Sequence, residues 1–315
     1  MPIQIDGMTF NAMQVSYQPP PNTKAIFGYG YTSSVVSMTN LVSSAGVVAT
    51  DTTGVGTARD ALAAASFGGD KAIFAFGSNL SVSSIYSMTN LVSNTGVVST
   101  DTPTVASGKW QTTGTNYGTD KAIFGYGYNS AFGASTSTNL VSNTGVVASD
   151  TPTVGSTGRL RSATRYGSTG QAIFGFGVQE PPGTNNSWTN LISNTGVVAT
   201  DTPGVGTATS GRGAAGYGTD KAIFGYGSAS PVGVITLTNL VSSIGVVATD
   251  TAGVGTARYY LAAATYDTDK AIFGYGVASP VNYSLTNLVS STGVVATDTA
   301  GVGTARYALG GASYA

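Results

Sequence analysis

Lys24-Ala25-Ile26-Phe27-Gly28-Tyr29-Gly30 returns, with small changes, at Lys71, Lys121, Gln171, Lys221 and Lys270. The starts lie 47, 50, 50, 50 and 49 residues apart. A unit of this length cannot bury both of its faces alone and needs neighbours stacked against it. The repeat therefore constrains the architecture before any single residue does.

The fifth full unit shows the parts. Arg258-to-Tyr266 is Ala-rich, Lys270-to-Gly276 is the repeated phrase, Thr286-to-Ser290 carries Asn287, and Val294-to-Asp298 ends on an acid. Each part has strand length and is bounded by Gly, Asp, Asn or Ser. Leu261-Ala262-Ala263-Ala264-Thr265 is too short for a stable helix, and its small side chains suit a crowded centre. Asn and Asp are 11 residues apart in all six units, which predicts a fixed hairpin with a Gly-containing turn.

The expected fold is all-β: a six-bladed β-propeller of four-stranded antiparallel blades. The chain enters at Lys24 without an Arg/Ala strand and finishes on that piece, Arg306–Tyr314. Pairing of this C-terminal strand with the first blade would close the ring. A linear β-solenoid with a truncated last repeat is the alternative. Residues 24–315 form the expected propeller. Residues 1–23 stand outside it as an arm or added strand with the Pro-rich linker Pro19-Pro20-Pro21.

The blade layout resembles kelch repeats: an Arg before the innermost strand, small residues along it, then an aromatic strand ending in glycines. It is more closely similar to the Gly- and Ala-rich kelch-like repeat proteins of tailed bacteriophages. That resemblance implies a virion component, placed on a tail fibre, tail tip or capsid surface. Its expected role is contact with protein or host surface, with other virion proteins as partners, in part through residues 1–23. A structural spacer or capsid decoration without a host receptor, and a soluble carbohydrate-binding propeller, are the alternatives.

Composition narrows the chemistry. The 315 residues include no His, no Cys and one Glu, and only 9% are charged, with a net charge of -1. The usual acid/base, nucleophile and metal-ligand sets are missing, so no enzyme, cofactor or metal is expected. There is no basic tract for nucleic acid and no apolar run long enough for a membrane helix. Without histidine, little titration is expected between about pH 6 and 8 beyond the α-amine and any strongly shifted carboxylate.

Asp51, Asp101, Asp150, Asp201, Asp250 and Asp298 recur as a ring of carboxylates, read here as turn caps. Arg59, Arg258 and Arg306 precede the inner strand and are expected to pair with such an Asp as inter-blade fasteners. Lys109 holds that position in one unit, whereas Gly158 and Thr209 hold it in two others. The stretch after each Gly-Tyr-Gly varies most. Its aromatics, Tyr31, Tyr86, Tyr128, Phe132, Trp188 and Tyr283, are the candidate recognition residues for a host glycan or surface protein.

Overall fold

The computed structural model describes residues 22–79, 84–129 and 133–315, together with the backbone strands Ile3–Ile5 and Met8–Phe10. Those two short strands pair antiparallel. The expected proline linker lies outside the described residues.

The repeated phrase forms a strand in every unit: Lys24–Gly28, Lys71–Ala75, Lys121–Gly125, Gln171–Gly175, Lys221–Gly225 and Lys270–Gly274. Ala25, Ile26 and Phe27 are fully buried, as are their counterparts. Both faces of this middle strand are covered, so it reads as a continuous apolar run rather than an alternating one. An Ala-rich or Gly-rich strand pairs on one side of it and a Thr-Asn-Leu strand on the other. In the first unit the partner is the chain's last strand, Gly310–Tyr314, in register from Lys24↔Tyr314 to Gly28↔Gly310.

The expectation of six uniform four-stranded propeller blades is corrected by this topology. The described residues form eleven separate sheets of two to four strands, and no sheet closes on itself. Only the sheet built on Lys71–Ala75 has four strands. Its fourth strand is Thr102–Pro103, beyond Asp101; in every unit the Val-to-Asp segment itself makes only isolated bridges, such as Val42↔Val48 and Val92↔Val98. A side chain enters the ladder at this segment. Asn40 Nδ2 donates to the Ala49 carbonyl at 3.0 Å, taking a place that a backbone N–H would hold in a regular ladder. The same substitution occurs at Asn90, Asn139, Asn190, Asn239 and Asn287. The segment bulges there, as an interrupted ladder does.

The core lies between neighbouring sheets. Phe27 meets Tyr275 edge-on at 5.5 Å, Phe74 meets Tyr29 at 5.1 Å, and four equivalent pairs continue the series. Such contacts add about 0.5–1.5 kcal/mol each beyond area burial. Gly28 is needed for the approach, because a Cβ there would stand 2.7 Å from Phe74 Cζ. Ala75 at the matching place in the next unit is also fully buried, so that site tolerates one methyl.

Backbone hydrogen bonds join the units in sequence. Ala61 N–H donates to Ala308 O, Ala308 to Tyr260, Tyr260 to Gly211, Gly211 to Leu160, Leu160 to Gln111 and Gln111 to Ala61. These six donors form a closed circuit at the start of the Ala/Gly-rich strands. At the other end of those strands, turn residues make a second series, from Gly68 N–H to Asp120 O through to Ala315 N–H to Asp70 O.

Candidate functional site: the mouth of the central channel

The six residues of the first circuit all line one pocket of about 120 Å³, the mouth of the repeat frame. Five of its six residues carry side chains at positive φ: Ala61 (49°), Gln111 (53°), Leu160 (54°), Tyr260 (53°) and Ala308 (53°). Strained backbone of this kind persists only where its surroundings hold it, and it concentrates at functional places.

Immediately before each circuit residue stands a residue of variable type: Asp60, Trp110, Arg159, Ser210, Tyr259 and Tyr307. Each pairs with the start of a variable loop. The pairs are Asp60↔Ser78, Trp110↔Tyr128, Arg159↔Val178, Ser210↔Ser228, Tyr259↔Val277 and Tyr307↔Tyr31. The repeated frame thus carries five kinds of side chain at six equivalent positions beside the circuit.

Two clusters form there. In the first, Tyr259 lies 4.6 Å from Tyr260, Tyr260 stacks on Tyr307 at 6.0 Å, and Tyr307 meets Tyr31 edge-on at 5.3 Å. All four are half-buried. Burial pushes the Tyr260 hydroxyl up to about 12, with Tyr259 adding to the rise. Buried Asp60 accepts from Ser78 Oγ at 3.1 Å, and burial raises its carboxyl to about 6 against that hydrogen bond. In the second cluster, Arg159 bonds Glu180 at 3.0 Å and Gln111 Oε1 at 3.1 Å, and lies 5.7 Å from the Tyr128 ring. Trp110 is 6.1 Å from the same ring.

Of the candidate recognition aromatics, the structure sets Tyr31 and Tyr128 against Tyr307 and Trp110, the residues that precede the circuit. Tyr86 and Tyr283 sit at loop bases, where their N–H groups donate to Gly77 and Gly276. The Trp188 carbonyl accepts from Phe176 N–H. Phe132 lies outside the described residues. Tyr259, Tyr260, Tyr307, Trp110, Gln111 and Asp60 are not singled out by the sequence reading. The available signal is a variable dipeptide in a fixed frame, directly after an Arg or Lys in four of the six units.

The recurring Asp, Asn and basic residues build a separate node at each sheet. Asn40 Nδ2 donates to Asp51 Oδ1 at 2.9 Å, while Arg306 donates to Asn40 Oδ1 at 2.7 Å. Thr304 gives Asp51 both its N–H and its hydroxyl. Burial works against the Asp51 charge, but these bonds and Arg306 together hold its carboxyl below the usual range. Asp101, Asp150, Asp201, Asp250 and Asp298 are held low in the same way, with Thr57, Lys109, Asn190, Thr207 and Thr256 among their donors.

All six nodes contain a cation. Arg59, Lys109, Arg258 and Arg306 come from the expected position. Where Gly158 and Thr209 stand there, Arg161 and Arg212, three residues later, reach Asn190 and Asn239 instead. Arg159, the neighbour of Gly158, faces the mouth cluster. Each node cation also lies over an aromatic ring of the adjoining sheet, from Arg59 over Tyr29 at 4.2 Å to Arg306 over Tyr275 at 4.4 Å. The acid partners lie within the cation's own sheet, at 3.7–4.0 Å for the arginines that form ion pairs and 2.8 Å for Lys109. The ring contact, rather than the ion pair, reaches between sheets.

Among the described residues, no three His, Cys, Asp or Glu side chains are grouped to hold a metal ion, and no helix is long and apolar enough to cross a membrane. No known protein family and no curated protein matches the chain. The kelch-like phage family resemblance is therefore corrected: no relative supports it, and the divided sheets depart from its regular blades.

Proposed function

We propose that this protein is a non-catalytic recognition scaffold whose channel mouth binds a saccharide. The observation that carries this reading is the run of Tyr259, Tyr260, Tyr307 and Tyr31, four joined rings on one side of an otherwise repeated frame. Half-buried aromatic rings offer an apolar face to a pyranose and a polar tip to water. Gln111, Arg159 and Glu180 supply donors and acceptors for hydroxyl groups.

A glycan array followed by titration calorimetry tests the reading. Saturable binding that falls at least ten-fold in Tyr260→Ala, with an unchanged circular dichroism spectrum, is the expected result. Silence of the folded wild-type protein across neutral and acidic glycans would overturn it.

A structural part in a larger particle is the second reading, supported by a different observation. The outer hairpins expose Val47, Val97, Val146, Val197, Val246 and Val294, each 60–67% accessible. An apolar residue repeated at the rim of every unit suits contact with a neighbouring protein of the particle. Under this reading, changing all six to Ser abolishes incorporation into the particle. Normal incorporation of that variant removes the support.

A further inference from the structure

The far ends of the Ala/Gly-rich strands line a separate polar cavity of about 270 Å³. Six equivalent positions contribute to its wall: Ser66, Asn116, Arg165, Gly216, Thr265 and Ser313, each opposite the Ala of a Lys/Gln-Ala-Ile-Phe strand. Three of their hydroxyls are already committed as donors. Ser66 Oγ donates to Ser313 O, Ser313 Oγ to Thr265 O, and Thr265 Oγ1 to Gly216 O. This chain of bonds stops at Gly216, beside Arg165.

Arg165 differs from the other interior cations. Arg59, Lys109, Arg161, Arg212, Arg258 and Arg306 each bond an Asn of their node. Arg165 Nε is buried without a hydrogen-bond partner, as are the Nε atoms of Arg161 and Arg212, but those two guanidinium groups bond Asn190 and Asn239 through Nη1. Burial lowers the guanidinium's proton affinity, with no opposing acid, whereas Asp201 counters the same effect at Arg161. A buried donor without a partner costs about 1–3 kcal/mol, more when charged. Asn22 Oδ1, an acceptor without a partner, lines the same cavity. The carboxylate on this wall is Asp120, which is paired with Lys121 at 3.4 Å; Lys221, paired with Asp220, also lines it.

We propose that this cavity is an oxyanion site centred on Arg165, taking a small ligand that carries both an anionic group and an O–H. The guanidinium and the Asn116 amide receive the oxyanion, and Asn22 Oδ1 accepts the O–H. Two sources share that chemistry: a hydrogen phosphate group and a hydroxycarboxylate.

Titration calorimetry with inorganic phosphate and with glycolate, at fixed ionic strength, tests the site and separates the sources. Wild-type protein is expected to bind one of them saturably, and Arg165→Gln to weaken that binding at least ten-fold. Lys24→Gln, which removes an exposed charge, is expected to leave it unchanged. The Tm of wild type is expected to rise with the bound anion and that of Arg165→Gln to stay level. In chloride buffer the variant is expected to melt no lower than wild type, because it loses an unmatched cation. Absence of saturable binding to both probes, equal binding by Arg165→Gln, or equal loss in Lys24→Gln would overturn the proposal.

Discussion

Asp60 makes the channel mouth sensitive to pH. Its folded pKa of about 6 lies above the ordinary carboxylate value, chiefly because it is buried. The folded state therefore holds the proton more tightly than the unfolded chain. Stability from this group is complete below the unfolded pKa and is lost as pH rises through about 6. The six node aspartates have the opposite sign: their stabilisation is present above the ordinary carboxylate range and lost as acid protonates them. Asp60→Asn is expected to raise unfolding free energy at about pH 7 by roughly 1–3 kcal/mol and to flatten its slope between about pH 4 and 6. Urea melts across that range check both effects. The expectation of little titration near neutrality leaves room for a strongly shifted carboxylate, and Asp60 is such a group; composition does not reveal which acid is buried. Ala308, at φ 53°, gives a second residue-scale expectation. Ala308→Gly should raise stability by about 0.5–1 kcal/mol, because glycine accepts that conformation without a Cβ clash. A lower melting temperature would count against strain at the circuit.

At the scale of the element, the basic node is met from either of two positions. Thr209 is fully buried where Arg59 stands in another unit, and Arg212 supplies the charge from three residues later. Arg212→Leu leaves Asn239 Oδ1 without its donor and is expected to cost roughly 2–4 kcal/mol. Adding Thr209→Arg is expected to recover at least half of that loss. A double-mutant cycle by chemical denaturation reads the coupling, and additive losses would refute the equivalence. The middle strands are legible in the sequence because burial on both faces leaves an unbroken apolar run, Ala25-Ile26-Phe27. The regular fourth strand is not, because Val47-Val48-Ala49 has strand composition while the Asn40 side chain interrupts its ladder. Arg161 and Arg212 are hidden because a search at one fixed offset cannot see a side chain that reaches the same partner from another turn of the backbone. The mouth residues are masked by their short span: Tyr259-Tyr260 and Asp60-Ala61 differ over two positions inside an otherwise uniform segment.

At the scale of the whole molecule, the two ends of the described repeat lie together. Thr23 N–H donates to Ala315 O at 2.8 Å, and its hydroxyl donates to the same oxygen at 2.6 Å. A short Gly/Ser linker from residue 315 to residue 23, with new termini opened at Ala252-Gly253 in a connector, is expected to preserve the fold. The permuted protein lacks residues 1–22 and is compared with the matching truncation. A native-like circular dichroism spectrum and a Tm within about 5 °C would support the arrangement, since a change of about 1 kcal/mol moves Tm by only a few degrees at this size. The same seam has a mechanical consequence. Lys24 and Tyr314 face each other at one end of an antiparallel pair, so tension between the two chain ends peels their bonds singly instead of shearing them together. A molecule held by residue 23 and pulled from residue 315 would open at its first strand under modest force. One held by residue 23 and pulled through a ligand at the tyrosine mouth would spread the force across several sheets.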